Sequence, residues 1–107
     1  MTQRNEKIAN QIKKMAAQFF GRENNKTALL TVTACTVSQD LKKATIFITV
    51  FPVAKEEVVL NFIKRNLGDL REFLKKNIPI KTIPFLDAVI DQGEKNRQKI
   101  DELLRNS

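Results

Sequence analysis

The sequence predicts an α+β fold in which helices pack on one face of a three-stranded mixed sheet. Three patterns lead there. Residues Leu30–Val37 and Ala44–Phe51 are two runs rich in alternating β-branched and apolar residues, separated by a polar connection, which is a β-hairpin pattern. Helical periodicity precedes the hairpin and follows it. A third apolar alternation then appears near the C-terminal end, after Pro79.

Taken in order, the first helix is expected from about Arg4 to Phe20, with Ile8, Ile12, Met15, Ala16 and Phe19 on one face. Arg4, Lys7, Gln11, Lys14 and Gln18 form a polar stripe beside that face. Gly21 is placed to stop the helix as a glycine just past its C-terminus, and the polar segment 22–27 reads as a loop. The first strand is expected over Leu29–Val37, with a slip of phase at Cys35 that suggests a bulge. The second strand, Ala44–Phe51, carries Ala44, Ile46, Ile48 and Val50 on one face. Its other face, Thr45, Phe47, Thr49 and Phe51, is apolar enough to suggest cover on both sides. Pro52 ends it.

Glu56 and Glu57 suit a helix first turn, where acidic groups meet the positive end of the dipole. Val59, Phe62, Ile63, Leu67, Leu70, Phe73 and Leu74 then continue one apolar face to about Asn77, with Gly68 in the middle. Glycine there costs up to about 1 kcal/mol against alanine, so a break is expected within two residues of it. A third strand follows at Ile83–Asp91 and a last helix at about Gly93–Arg105. The order is α-β-β-α-(break)-α-β-α, and the crossover between the second and third strands should be right-handed. At 107 residues with no repeats or linkers, residues 1–107 read as one domain.

There are 19 Lys plus Arg against 12 Asp plus Glu, a net charge of +7, which favours an anionic partner and nucleic acid above others. Cys35 is the only cysteine, so no internal disulfide can form, and its place in an apolar strand suits a buried thiol. The chain has no histidine, which removes the commonest general base and metal ligand. No Ser-His-Asp or Cys-His set is possible, and no glycine-rich phosphate loop occurs. Asp87 and Asp91 share a strand face but read as solvent groups. No enzyme activity, cofactor, metal or small-molecule substrate is therefore expected. No membrane span and no signal-peptide core are present in the pattern, so a cytoplasmic location is expected.

The strongest functional pattern lies on the second long helical stretch. At about 100° per residue, Lys64, Gly68, Arg71 and Lys75 fall on one stripe clear of the apolar face. From Lys64 to Lys81 there are six basic residues and two acidic ones, Asp69 and Glu72. A phosphate backbone could approach closely at Gly68 while the three cations neutralise it. Further candidates are Arg65, Lys76, Lys81, the N-terminal Arg4, Lys7 and Lys14, and Lys42 and Lys43 at the hairpin connection. The seven phenylalanines all lie within strand or helix patterns, and with no Trp or Tyr a core role is expected for them. Base stacking on the sheet is then not expected, and recognition should rest on backbone charge and RNA shape.

The hairpin with Asp40-Leu41 in its connection and the Asn66-Leu67-Gly68 break together resemble ribosome-binding factor A, a family of small, basic bacterial proteins. The family breaks this helix at an Ala-x-Gly element, and Asn66 here stands where alanine is usual. Leu70-Arg71 matches a hydrophobic-Arg pair, and Ile83-Pro84-Phe85-Leu86 through Asp91 matches a Val-Pro-x-Leu then Asp pattern. Arg97 stands where many members carry glycine, and the family's frequent C-terminal tail is not expected in a chain ending at Ser107. The resemblance implies a KH-like fold of type II. It implies binding of the small (30S) ribosomal subunit and its rRNA, a role in late maturation and 16S rRNA processing without catalysis, a part in cold adaptation, and a monomer. The rival expectations are a protein–protein adaptor with a basic face and a general DNA-binding KH-like module.

Overall fold

A computed structural model describes residues 3–22 and 28–94. The chain runs α1 (Gln3–Arg22), β1 (Leu29–Val37), β2 (Lys43–Phe51), a short 3₁₀ turn (Val53–Lys55), α2 (Glu56–Arg65), α3 (Leu67–Asn77) and β3 (Phe85–Ile90). The sheet order is β1-β2-β3, with β1 antiparallel and β3 parallel to the central β2. Residues 92–94 take a helical turn; the remainder of the helix expected to Arg105 lies outside the described residues.

Strand periodicity decides where the core sits. Ala44, Ile46, Ile48 and Val50 are all buried on one face of β2, joined by Leu86 and Ala88 of β3 and Val37 of β1. The helices supply Ile8, Ile12, Ala16 and Phe20 from α1, Ile63 from α2, and Leu70 and Leu74 from α3. Phe20, rather than Phe19, is the fully buried ring of α1; Phe19 is half-buried and meets Phe73 of α3 at 5.5 Å between centroids.

The opposite sheet face is exposed at its ends, which corrects two expectations. Cross-strand partners share a face, so Leu29, Thr31, Ala34 and Thr36 of β1 lie beside Phe51, Thr49, Phe47 and Thr45 of β2. Phe85 lies beside Lys43 on the same face. Phe51 and Phe85 are each 68% exposed, so neither is a core ring, and the second face of β2 is not helix-covered at its ends.

Two sequence expectations shift in position. The bulge sits at Thr33, because the register steps from Val32↔Ile48 to Ala34↔Phe47. The extra residue is what moves Cys35 onto the core side, opposite Ile46. Thr33 donates its hydroxyl to the Asp91 carboxylate at 2.6 Å, which ties the bulge to the end of β3. Gly21 does not stop α1, which continues to Arg22, and no described glycine has positive φ.

One buried polar residue locks α1 to the hairpin. Asn5 is 3% exposed and donates from Nδ2 to the Ser38 carbonyl at 2.8 Å. Asn5→Ala should lower stability by about 1–3 kcal/mol, since it strips a partner from a part-buried carbonyl; chemical denaturation measures this.

Cys35 is half-buried, less than the sequence suggests, yet desolvation by burial pushes its thiol up to about 12 from 9.0. The neutral thiol is therefore favoured by folding. Its contribution is complete below the unfolded value and is lost as pH rises from about 9 towards 12. Cys35→Ala should flatten the alkaline limb of a stability–pH curve in that window, and native Cys35 should react slowly with thiol reagents at pH 8.

Candidate nucleic-acid interface

The helix break is built by Asn66. Its φ of −105° and ψ of 9° leave the helical region. Its N–H turns to the Ile63 carbonyl at 3.0 Å, a 3₁₀ step, and no longer serves the Phe62 carbonyl. The Asn66 side chain takes over, donating from Nδ2 to that carbonyl at 2.7 Å. The Leu70 N–H then bonds the Asn66 carbonyl at 3.0 Å and starts the ladder of α3. The break thus falls at Asn66, within two residues of Gly68 as expected, while Leu67 and Gly68 are themselves helical.

The stripe candidates are not equivalent. Lys64 and Gly68 are exposed, and a Cβ added at Gly68 would meet nothing within 4 Å. Lys75 is exposed and pairs with Glu72 at 3.4 Å, a surface contact of little energetic weight. Arg71 is half-buried, and its Nη1 donates to the Pro84 carbonyl at 3.2 Å. It is a tether between α3 and the start of β3 as well as a cation, which corrects its reading as a plain surface group. Arg65 and Lys76 are exposed on the same two helices.

The remaining cations divide by element. Lys7 and Lys14 are exposed on α1, and the Arg4 side chain lies outside the described residues. Lys42, Lys43 and Lys81 are exposed at the end of the sheet where the hairpin connection meets the segment before β3. That connection is tightly made. Asp40 accepts from the Ser38 hydroxyl at 2.6 Å and from the Lys42 N–H at 3.1 Å, and the Ser38 hydroxyl also accepts from the Lys43 N–H at 3.0 Å. The Ser38 hydroxyl and then the Lys42 amide hold the Asp40 carboxyl below its usual range. Leu41 occupies the left-handed region, φ 61°, unusual for a residue that is not glycine.

The family model for ribosome-binding factor A matches residues 4–104. The chain belongs to the ribosome-binding factor A family. A ribosome-binding factor A from Paenarthrobacter aurescens is 34% identical over 105 residues, covering 94% of this chain and 62% of that protein. The chain spans about three fifths of the length of the first relatives it matches. The crystal structure of the Thermus thermophilus ribosome-binding factor A superimposes with a TM-score of 0.72 at 22% identity, over 80% of this chain and 94% of that one. A homology model of the Thermus thermophilus protein, fitted into a cryo-electron microscopy map of its complex with 30S, superimposes at 0.69 and 22% identity, over 78% of this chain and 91% of that one. The fold is therefore KH-like, as expected.

Asn66 keeps the helix break by supplying the donor that the backbone withdraws. Sequence reasoning missed Asn5, whose signal was a polar residue within the apolar periodicity of α1. It also missed the exposure of Phe85 and the assembly of Lys42 with Lys81. Among the described residues, no group of three or more His, Cys, Asp or Glu is placed to hold a metal, and no helix is long and apolar enough to cross a membrane.

Gly68→Ala should raise stability by about 0.4–1 kcal/mol, because the backbone is helical and the space is open. The added methyl should still weaken RNA binding if a backbone approaches there. Asn66→Ala should cost roughly 1 kcal/mol through the lost bond to Phe62. Lys64→Ala and Lys75→Ala should each change stability by less than about 0.5 kcal/mol. Arg71→Ala should cost about 1 kcal/mol, because Pro84 is buried and its carbonyl loses a donor. Urea titrations of the five variants separate these outcomes.

Proposed function

We propose that this protein binds the small ribosomal subunit through its rRNA and assists late maturation of that subunit, including processing of 16S rRNA, without catalysing a reaction. Family membership across residues 4–104 carries this reading. The Thermus relative fitted into a 30S map supports it. The chemistry of the surface is consistent: net charge +7 and exposed Lys64, Arg65, Lys75 and Lys76 on the two helices that meet at the Asn66 break. RNA contact by Lys64, Gly68, Arg71 and Lys75 would place phosphates along that break. The protein acts in the cytoplasm, as a monomer, and supports growth in the cold.

One observation favours an adaptor role instead. Leu29 and Phe51, register partners, and nearby Val53 are 61%, 68% and 56% exposed, an apolar patch suited to a protein contact. Nuclease treatment of a pull-down separates the readings.

In sucrose gradients the protein should co-sediment with small subunits and their precursors and not with large subunits. A deletion strain should accumulate unprocessed 16S rRNA and grow slowly in the cold. The combined Lys64→Ala, Arg71→Ala, Lys75→Ala variant should lower the salt slope of binding by about one unit per lost phosphate contact. Normal rRNA processing in the deletion strain, with wild-type subunit binding by the triple variant, would defeat this reading.

A further inference from the structure

A cleft of about 430 Å³ opens between the hairpin connection and the segment that leads into β3. It shares no residue with the Lys64–Lys75 stripe. Ile8 of α1, Leu41, Ile80 and Pro84 give it apolar walls, and Lys42 and Lys81 stand on opposite segments of its rim. Both lysines are exposed.

Its walls are fixed from three directions. The Phe85 N–H donates to the Lys42 carbonyl at 2.8 Å and joins the two segments. The Arg71 guanidinium holds the Pro84 carbonyl, and the Asn5 amide holds the Ser38 carbonyl. Leu41 is kept in the left-handed region within this frame, and strained backbone held by its surroundings recurs at ligand sites. A cleft with its walls already set loses little freedom on binding.

We infer that this cleft receives one unpaired RNA base, with Lys42 and Lys81 neutralising the phosphates on either side of it. This rests on the proposed reading of the protein as an rRNA binder and adds a second contact surface to it. The volume lies within the range of small-ligand sites, roughly 300–1,000 Å³. Apolar walls suit the face of a base. Two cations from separate segments suit the phosphates that flank a single nucleotide. Asp40, the acidic lining residue, already accepts from the Ser38 hydroxyl and the Lys42 amide, so it is engaged within the connection itself. An apolar side chain of a protein partner would fill the walls but bring no anion to the two lysines, of which Lys42 has the Asp40 carboxylate nearby. A duplex offers no free base to enter.

The full chain, labelled with nitrogen-15, is titrated with adenosine monophosphate, with a single-stranded adenylate hexamer, and with duplex RNA. The monophosphate and the hexamer should shift the amides of Leu41, Lys42, Lys81 and Thr82, and duplex RNA should not. The Lys42→Ala, Lys81→Ala double variant should lower the log–log salt slope of hexamer binding by about 1.4, at about 0.7 per phosphate on a single strand. Thr82→Phe, a change at an exposed lining position, should fill the cleft and abolish the monophosphate shifts without lowering the thermal midpoint. Hexamer shifts confined to Lys64–Lys75, or a double variant with wild-type slope, would overturn the inference. So would protection of the cleft by RNA-free small-subunit proteins. If the wild type co-sediments with subunits while the cleft variants bind hexamer unchanged, only the cleft is lost. If it binds the hexamer in the cleft but no subunits, the cleft stands and the subunit reading is lost.

Discussion

The one-sided burial of β2 governs the rest of the structure. As the central strand it is paired along both edges, so its backbone polar groups are satisfied whichever face is covered. What differs between the faces is the side chains. Ala44, Ile46, Ile48 and Val50 need a hydrophobic cover, and Thr45 and Thr49 do not. Helices α1, α2 and α3 must therefore share a single side of a narrow sheet. Space there is short, which accounts for Ala16, Ala44 and Ala88 at fully buried positions beside Ile12, Ile46 and Leu70.

The break at Asn66 follows from that shortage. The stretch from Glu56 to Asn77 must place both Ile63 and Leu70 in the core, and it does so as two helices. A break frees a carbonyl, and a free carbonyl inside a half-buried turn is costly. The Asn66 amide answers this locally through Phe62. The same device recurs at the end of α3, where Asn77 donates from Nδ2 to the Phe73 carbonyl at 2.8 Å. Asparagine thus closes the C-terminal ends of both α2 and α3, and Gly68 owes nothing to backbone strain. It leaves an exposed position of α3 without a side chain.

Hydrogen bonds between distant segments then set one end of the sheet. Asn5, Ser38, Lys42, Arg71 and Pro84 are spread over the chain, yet three contacts among them and Phe85 draw α1, the hairpin connection, α3 and the start of β3 together. Arg71 shows how a half-buried cation can also be a tether: one guanidinium donor fixes the Pro84 carbonyl.

Over the described residues the sequence by itself determined the elements, their order and the core face of β2, because period-two and helical spacing are local properties of the chain. The bounds of β1 and the stop at Pro52 were legible for that reason, and so was a break near Gly68. The exposure of Lys64, Gly68 and Lys75 was legible because spacing along a helix separates them from the apolar positions. Only the tertiary structure decided which sheet face stays exposed at its ends, and hence that Phe51 and Phe85 are exposed; side-chain type says that a ring prefers burial, not whether a helix is available to bury it. It alone converted Arg71 from a surface cation to a tether and placed Asn5 under the hairpin. It alone made a cleft from Ile8, Leu41 and Lys81, whose separation along the chain hides any pattern among them until the strands pair and the helices close over one side.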